Sequence, residues 1–325
     1  MSCPNIGFGS RRFLIEGFFV MKKLHFSVCV AMCFGVAAST AFAQSRAYAT
    51  NEGSGSVSVI DTNTDTVIST IDTGGKPRGL ALCKGSDKLF VSEQNSAQLW
   101  MIDPVKGEIE QRVQLGESPE ALYCSPDGKW LGVANEGTNS ISFIEVKSMK
   151  LKFSIPVHGK NPEHGVFREA DQVDVLDLRK RRQIGSVKVG ERPRGIAFTP
   201  DSKRAFVAVE SGSMLVAIDV TKREVIGKQA VGKRTAGVIV SPDGAYVFAS
   251  NGGDANVSMV DAKTFELIEN IAIGQRPWNM GFSADGSKLY VAAGRSGAIS
   301  VIDLASRKMV SEIPVGKLPW GVVAH

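Results

Sequence analysis

An all-β ring, a seven-bladed β-propeller of four-stranded antiparallel blades, is the fold that this sequence predicts. Three observations predict it. An acidic residue recurs at a fixed step, four short strands fit inside each step, and the chain ends carry complementary parts of one repeat. Asp61, Asp103, Glu145, Asp177, Asp219, Asp261 and Asp303 follow one another at steps of 42, 42, 32, 42, 42 and 42 residues. Each closes a short apolar run such as Val-Ser-Val-Ile-Asp (57–61) or Ile-Ser-Val-Ile-Asp (299–303). A constant period of this length marks stacked supersecondary units, and strand-rich units of this size close into rings. A two-sheet sandwich has no reason to keep a fixed step.

The third unit shows the four strands in order. Pro119–Cys124 is an apolar strand ended by Ser125-Pro126-Asp127-Gly128. Proline suits the second position of that turn, aspartate bonds locally, and glycine takes the fourth position freely. Residues 131–135 form the next strand and 141–145 the third. A polar turn leads to the fourth, 152–157, and His158-Gly159-Lys160-Asn161-Pro162 restarts the cycle. The recurrent acids precede tight turns, where a carboxylate accepts backbone N–H groups, so their repetition points to structure and not to catalysis. At the ends, Gly321–His325 matches a first strand, whereas the chain from Arg46 begins on a second strand. The last strand should therefore complete the blade that the N-terminal three begin, leaving no open edge.

The step of 32 lies between units three and four. The counterpart of Ser125–Asn135 is missing, which predicts loss of the first turn and the second strand from the blade at about 163–189. A three-stranded meander leaves the chain on the wrong side. Arg168–Asp171 would then have to cross the blade, although four residues reach at most about 14 Å and a five-residue strand is roughly 17 Å long.

Residues 1–20 read as an upstream extension from a misplaced start. Residues 21–43 read as a signal peptide, with Met21-Lys22-Lys23, an apolar stretch from Leu24, and the small-x-small site Ala41-Phe42-Ala43. The stretch is short for a membrane span. A twin-arginine signal at Arg11-Arg12 is the rival, interrupted by Glu16. The expected mature protein, 44–325, is periplasmic or secreted, with no membrane span after cleavage. It keeps 34 basic and 32 acidic residues, so the +5 of the whole chain falls to +2. That balance argues against nucleic acid as a partner. The basic run Arg179–Arg182 falls in a strand-to-strand turn and is expected to be solvated. Of five cysteines only Cys83 and Cys124 remain, at nearly equivalent places in adjacent repeats. An oxidising compartment permits a bridge. The favoured reading is two small core residues on neighbouring inner strands.

Function is sought on the loops that ring the channel, because strands supply only scaffold. The residue after each restart proline is Arg78, Glu120, Glu163, Arg194, Ala236, Trp278 or Trp320, and His164 follows Glu163. The loops after the second strands add Asn51, Glu52, Glu93, Asn135, Glu136, Glu210 and Asn251. Arg78, Glu120, Glu163, His164, Arg194, Trp278 and Trp320 are the candidate ligand-binding residues: arginine pairs acids and tryptophan stacks. No catalytic motif, metal site, haem attachment or cofactor is evident. His158 and His164 lack a third ligand of zinc spacing.

The repeats resemble the YVTN family of β-propellers over essentially the whole mature chain. The carrying segments are Leu-Phe-Val-Ser (89–92), Leu-Tyr-Val-Ala (289–292), the Val-x-Val-Ile-Asp runs, Ser-Pro-Asp-Gly, and Gly-x-x-Pro at 74–77, 190–193, 274–277 and 316–319. Arg46–Glu52, Pro162–Phe167 and Val173–Leu178 are similar to the secreted seven-repeat propellers that accompany pyrroloquinoline-quinone (PQQ)-dependent alcohol catabolism. That resemblance implies a non-enzymatic accessory or binding protein beside a PQQ-dependent dehydrogenase, a cytochrome c or a transporter component, with PQQ belonging to the pathway. Some propellers of related repeat type hydrolyse lactones. The enzymatic alternative would use Glu163, His164, Arg78 and Arg194. Nucleic-acid binding is a third alternative, suggested by fold resemblance alone.

Overall fold

Alternation is visible in the outer strands and lost in the middle ones, and this contrast defines the architecture. Glu224–Ala230 alternates between exposed and half-buried positions, whereas every residue of Ser56–Asp61 is buried. A strand packed on both faces reads as a continuous apolar run, and one with a solvated face alternates. Middle strands therefore lie between neighbouring sheets.

The computed structural model describes residues 45–158, Pro162, the backbone of 166–167, and 171–324. The expected extension, signal peptide and cleavage site lie outside these residues, as do Glu163 and His164. Among the described residues no helix is long and apolar enough to cross a membrane.

The first blade contains β1 (Arg46–Asn51), β2 (Ser56–Asp61) and β3 (Thr66–Asp72). The second is β4 (Pro77–Leu82), β5 (Leu89–Glu93), β6 (Gln98–Asp103) and β7 (Glu108–Gln114). The third is β8 (Pro119–Cys124), β9 (Trp130–Asn135), β10 (Ser140–Glu145) and β11 (Lys150–Pro156). The fourth has β12 (Val166–Phe167), β13 (Gln172–Asp177) and β14 (Arg182–Lys188). The fifth is β15 (Pro193–Phe198), β16 (Arg204–Val209), β17 (Met214–Asp219) and β18 (Glu224–Ala230). The sixth is β19 (Thr235–Val240), β20 (Tyr246–Asn251), β21 (Asn256–Asp261) and β22 (Leu267–Ala272). Then come β23 (Pro277–Phe282), β24 (Lys288–Ala293), β25 (Ala298–Asp303), β26 (Lys308–Pro314) and finally β27 (Pro319–Ala324).

Strand β27 pairs antiparallel with β1, giving the order β27-β1-β2-β3 and closing the first blade with the end of the chain. The fold is thus a propeller of six complete four-stranded blades and a fragment of another. Its cores lie between blades: Phe90 and Leu99 of the second pack with Leu131 and Ile144 of the third, and Phe248 and Met259 of the sixth with Leu289 and Ile302 of the seventh.

The fourth blade corrects two expectations. Strands β12 and β13 are direct antiparallel neighbours, with Val166 opposite Val173 and Phe167 opposite Gln172. Residues 168–170 lie outside those described, and the direct pairing of β12 with β13 leaves no strand between the two to be crossed. Strand β14 lies beside the outer strands β11 and β18, which places β13 third and β12 in the second-strand position. The lost strand is thus the inner one among the described residues, not the second. With the inner place vacant among the described residues, Val173 and Asp174 of β13 line the channel.

The recurrent acids behave as expected. Oδ1 of Asp103 accepts from the N–H groups of Val105 and Lys106 at 2.9 Å each, and Asp177 and Asp261 repeat the pattern two and three residues on. The residue four places after each acid is left-handed, from Asp65 (φ 51°) to Arg307 (φ 56°). Glu145, one methylene longer, bonds the Ser148 hydroxyl and Lys152 instead. The Arg179–Arg182 run is exposed, and Arg181 stacks 4.6 Å over the Phe153 ring.

These bonds lower carboxyl pKa values. Asp127 and Asp285 lie at about 2, each held first by a serine hydroxyl two residues earlier and then by backbone N–H. Asp103, held first by Lys88, is also lowered, as are Asp177 and Asp261 by backbone N–H groups. A folded value below the unfolded ~3.9 gives stability that is complete above the unfolded pKa and disappears as pH falls through the folded one. The melting temperature should therefore drop between about pH 4 and pH 2. The Asp127→Asn/Asp285→Asn double variant should show a shallower drop in the same calorimetric series. An equal slope in both proteins would remove Asp127 and Asp285 as a source of it.

Candidate functional site

Among the described residues, the restart loops are tied to the loops that follow the second strands of their own blades, which fixes both on one face. Glu210 N–H donates to Arg192 O at 3.0 Å, Gly252 N–H to Arg234 O at 3.1 Å, Gly294 N–H to Arg276 O at 3.0 Å and Glu136 N–H to Ser118 O at 2.9 Å. The inner strands start at this face and run down the channel wall.

A hydroxyl relay then fixes the inner strands to one another. Ser92 Oγ accepts from Gly79 N at 2.9 Å and donates to Glu120 O of the next blade at 2.6 Å. Ser250 accepts from Gly237 N at 2.9 Å and donates to Trp278 O at 2.5 Å. Thr50 accepts from Gly321 N at 3.1 Å and donates to Arg78 O at 2.5 Å. Between the seventh and first blades, Asn279 Nδ2 donates to Trp320 O at 3.2 Å. The close approach demands glycine: a Cβ on Gly237 would sit 2.2 Å from Trp278 O. Four of the expected site residues, Arg78, Glu120, Trp278 and Trp320, thus have clamped carbonyls.

Their side chains fall into two groups. On the second blade, the Arg78 guanidinium pairs with Glu120 and, at 3.3 Å, with Glu52. Glu120 is 1% exposed and also accepts from Gln94 Nε2 at 3.1 Å. Burial works to lower the Arg78 pKa, but the charges and hydrogen bonds of Glu120 and Glu52 outweigh it and hold it above the ordinary value. Glu93 is a turn residue, accepting from the N–H groups of Lys76 (2.7 Å) and Asn95 (2.9 Å). Asn51, Asn135 and Asn251 are equally structural: each is fully buried and donates to a third-strand serine at 2.8–2.9 Å.

On the fifth to seventh blades the balance reverses. Glu210, 6% exposed, faces Arg192 Nη2 at 3.4 Å, Arg234 Nε at 3.5 Å and Arg194 Nη1 at 3.7 Å. Arg194 and Arg276 lie over the Trp278 ring, 5.4 and 4.5 Å from its centroid. Arg276 has no carboxylate of its own among the described residues, and its buried Nη1 finds no acceptor among them. Burial, then repulsion from Arg234, lowers its pKa; the Arg194 and Arg295 charges add to this against the pull of Glu210. Three guanidinium groups thus face Glu210 within 3.7 Å, and Arg276 stands beside them over the Trp278 ring.

Arg78, Glu120, Arg194, Trp278 and Trp320 all stand at this face, but they do not form one constellation. Arg78 and Glu120 belong to the acidic group and Arg194 and Trp278 to the basic one. Trp320 lies on the wall of the channel cavity. Arg192, Arg234 and Arg276, the residues before the restart position Pro193, Thr235 or Pro277, were missed. Each has left-handed φ, 55–57°. The available signal was arginine at one repeat position in three consecutive blades.

Cys83 and Cys124 form a disulfide, with Cα atoms 5.4 Å apart, which corrects the expectation of two separate core thiols. It joins the inner strands of the second and third blades at their far ends. The channel between these ends and the arginine face encloses a cavity of about 830 Å³ with largely apolar walls.

Residues 12–325 match the family of YNCE-like β-propellers. Antigen Lp49 of Leptospira interrogans is 26% identical over 164 residues, 50% of this chain and 31% of that protein, so the chain spans about a third of that relative's length. Among solved structures, hydrazine synthase of Kuenenia stuttgartiensis superposes with a TM-score of 0.71 at 19% identity, over 79% of this chain and 92% of that one. A functionally unknown protein from Desulfotomaculum acetoxidans gives 0.72 at 15% identity, over 86% and 98%. The dihydro-heme d1 dehydrogenase NirN gives 0.64 at 13% identity, over 86% and 75%. At these identities the likeness is one of fold.

Proposed function

Because the chain belongs to the YNCE-like β-propeller family, a scaffold that by itself specifies no reaction, we propose that it is a non-enzymatic binding protein that recognises an organic anion at the arginine cluster. One observation carries the reading: Arg192, Arg194 and Arg234 face Glu210 within 3.7 Å, and beside them the buried Nη1 of Arg276 finds no acceptor among the described residues. Guanidinium forks match carboxylate geometry and are worth most where partly desolvated. The clamped backbone beneath Trp278 preorganises the group, which lowers the cost of binding. A secreted or periplasmic location is part of the proposal, supported by the bridged cysteines, which oxidising compartments favour. So is a place beside a PQQ-dependent dehydrogenase and its cytochrome c or transporter component, which rests on the resemblance of Arg46–Glu52, Pro162–Phe167 and Val173–Leu178.

Calorimetric titration with phthalate tests the site. Binding should weaken roughly 10- to 100-fold in Arg234→Gln/Arg276→Gln, in line with loss of charge-assisted hydrogen bonds, and should decline as salt rises. Equal affinity in the variant would remove the cluster as the site.

A further inference from the structure

The cavity begins where the arginine cluster ends. Arg194 lies on β15 two residues before Ile196, and Trp278 lies on β23 directly before Asn279. Ile196 and Asn279 both line the channel. Two residues of strand separate positions by about 7 Å, so the guanidinium groups stand at the rim of the cavity and not at a separate place. The wall below is formed by Leu82, Leu122, Val238, Met280 and Val322 and their neighbours. Tyr123 and Phe198 line it as well, although 46% and 52% of their surfaces are exposed. Large apolar side chains exposed in a concave space mark a ligand site more often than chance placement. Asp174 is the one charged side chain on the wall among the described residues, and Gln172 Nε2 donates to its Oδ1 at 2.5 Å. The volume, about 830 Å³, falls in the ordinary range of small-molecule pockets. Charge at one end and apolar wall below it select a ligand with the same division.

We infer that rim and channel form one site for an amphipathic carboxylate. The head group would engage Arg234 and Arg276 beside Trp278, and an unbranched or cyclic hydrocarbon body would occupy the channel past Phe198. This rests on the anion-binding reading of the rim and adds the chemistry of the rest of the ligand. It also accounts for the division of the mouth: the acidic group around Arg78 disfavours a second carboxylate that reaches the opposite rim, so a ligand charged at one end only is preferred.

Calorimetry on the intact, oxidised protein with hexanoate, dodecanoate (below its micellar concentration) and dodecanol tests the inference. Each buried methylene is worth roughly fourfold in affinity, so dodecanoate should bind at least about 100-fold more tightly than hexanoate. Dodecanol should bind at least about 10-fold more weakly than dodecanoate. Phe198→Asp, or Tyr123→Asp if the first fails to fold, should abolish the chain-length gain and leave phthalate binding intact. If phthalate and hexanoate bind with arginine dependence but added methylenes give nothing, the channel inference falls and the rim reading stands. If dodecanol binds as well as dodecanoate, and Arg234→Gln/Arg276→Gln changes neither, the joined site falls. If no carboxylate binds, both fall together.

Discussion

Glu120→Ala should destabilise the protein by about 3 kcal/mol, the largest loss expected from a single side chain at the channel mouth. Glu120 is 1% exposed and pairs with Arg78, whose side chain is 21% exposed. Its removal leaves a guanidinium in a partly desolvated position with Glu52 at 3.3 Å as the remaining partner. Gln94 Nε2 loses an acceptor as well, although Ser118 Oγ at 2.9 Å is retained. Breaking a buried pair from one side costs more than the pair contributes, because the orphaned charge stays behind. The Arg78→Met/Glu120→Met double variant should therefore recover much of the loss. Denaturant titration of the parent protein, Glu120→Ala and the double variant checks both statements. A loss below about 1 kcal/mol for Glu120→Ala would mean that Glu52 suffices and that the pair behaves as an exposed one.

Removal of the disulfide should cost about as much by a different route. The bridge closes a loop of 41 residues, for which chain entropy alone predicts about 4 kcal/mol. The effect acts through the unfolded chain, so Cys83→Ser/Cys124→Ser should lower the melting temperature by roughly 8 °C or more while leaving phthalate binding at the opposite rim unchanged. An unchanged melting curve for the double variant would contradict this account.

The two predictions differ in how far the sequence foretold them. Glu120 was legible because one repeat position varies around the ring among Arg, Glu, Ala and Trp, and variation against a constant background is visible by eye. The bridge was half visible. A separation of 41 is one short of the repeat, so the two cysteines have opposite strand parity, and one can face forward while the other faces back. Equivalence was noted; the offset of one, which permits the contact, was not used. The six complete four-stranded blades, the turn aspartates and closure by β27 were legible because they follow from period and phase. The lost strand of the fourth blade was assigned by alignment to the second position. Pairing obeys neighbours and not alignment, so β12 paired with β13 in that place and the vacancy moved inward. Arg192, Arg234 and Arg276 escaped notice because they precede the restart position and have a backbone geometry that usually signals a turn. Their gathering beside Glu210 and Trp278 is a property of three blades in space, which no single repeat contains.

The hydroxyl relay is unevenly distributed around the ring. Thr50, Ser92 and Ser250 carry it, and the disulfide doubles the seam that Ser92 already holds. Ala134 and Ala208 occupy the equivalent places in the third and fifth blades and have no hydroxyl to offer. Among the described residues the clamped arc runs from the sixth blade through the seventh and first to the third, and the seams on either side of the fourth and fifth blades carry no such hydroxyl. A load that widens the bore would be taken up by the unclamped arc, where Glu210 holds its arginines. Entry of a bulky guest should strain that arc first and leave the bridged arc as the anvil against which it closes.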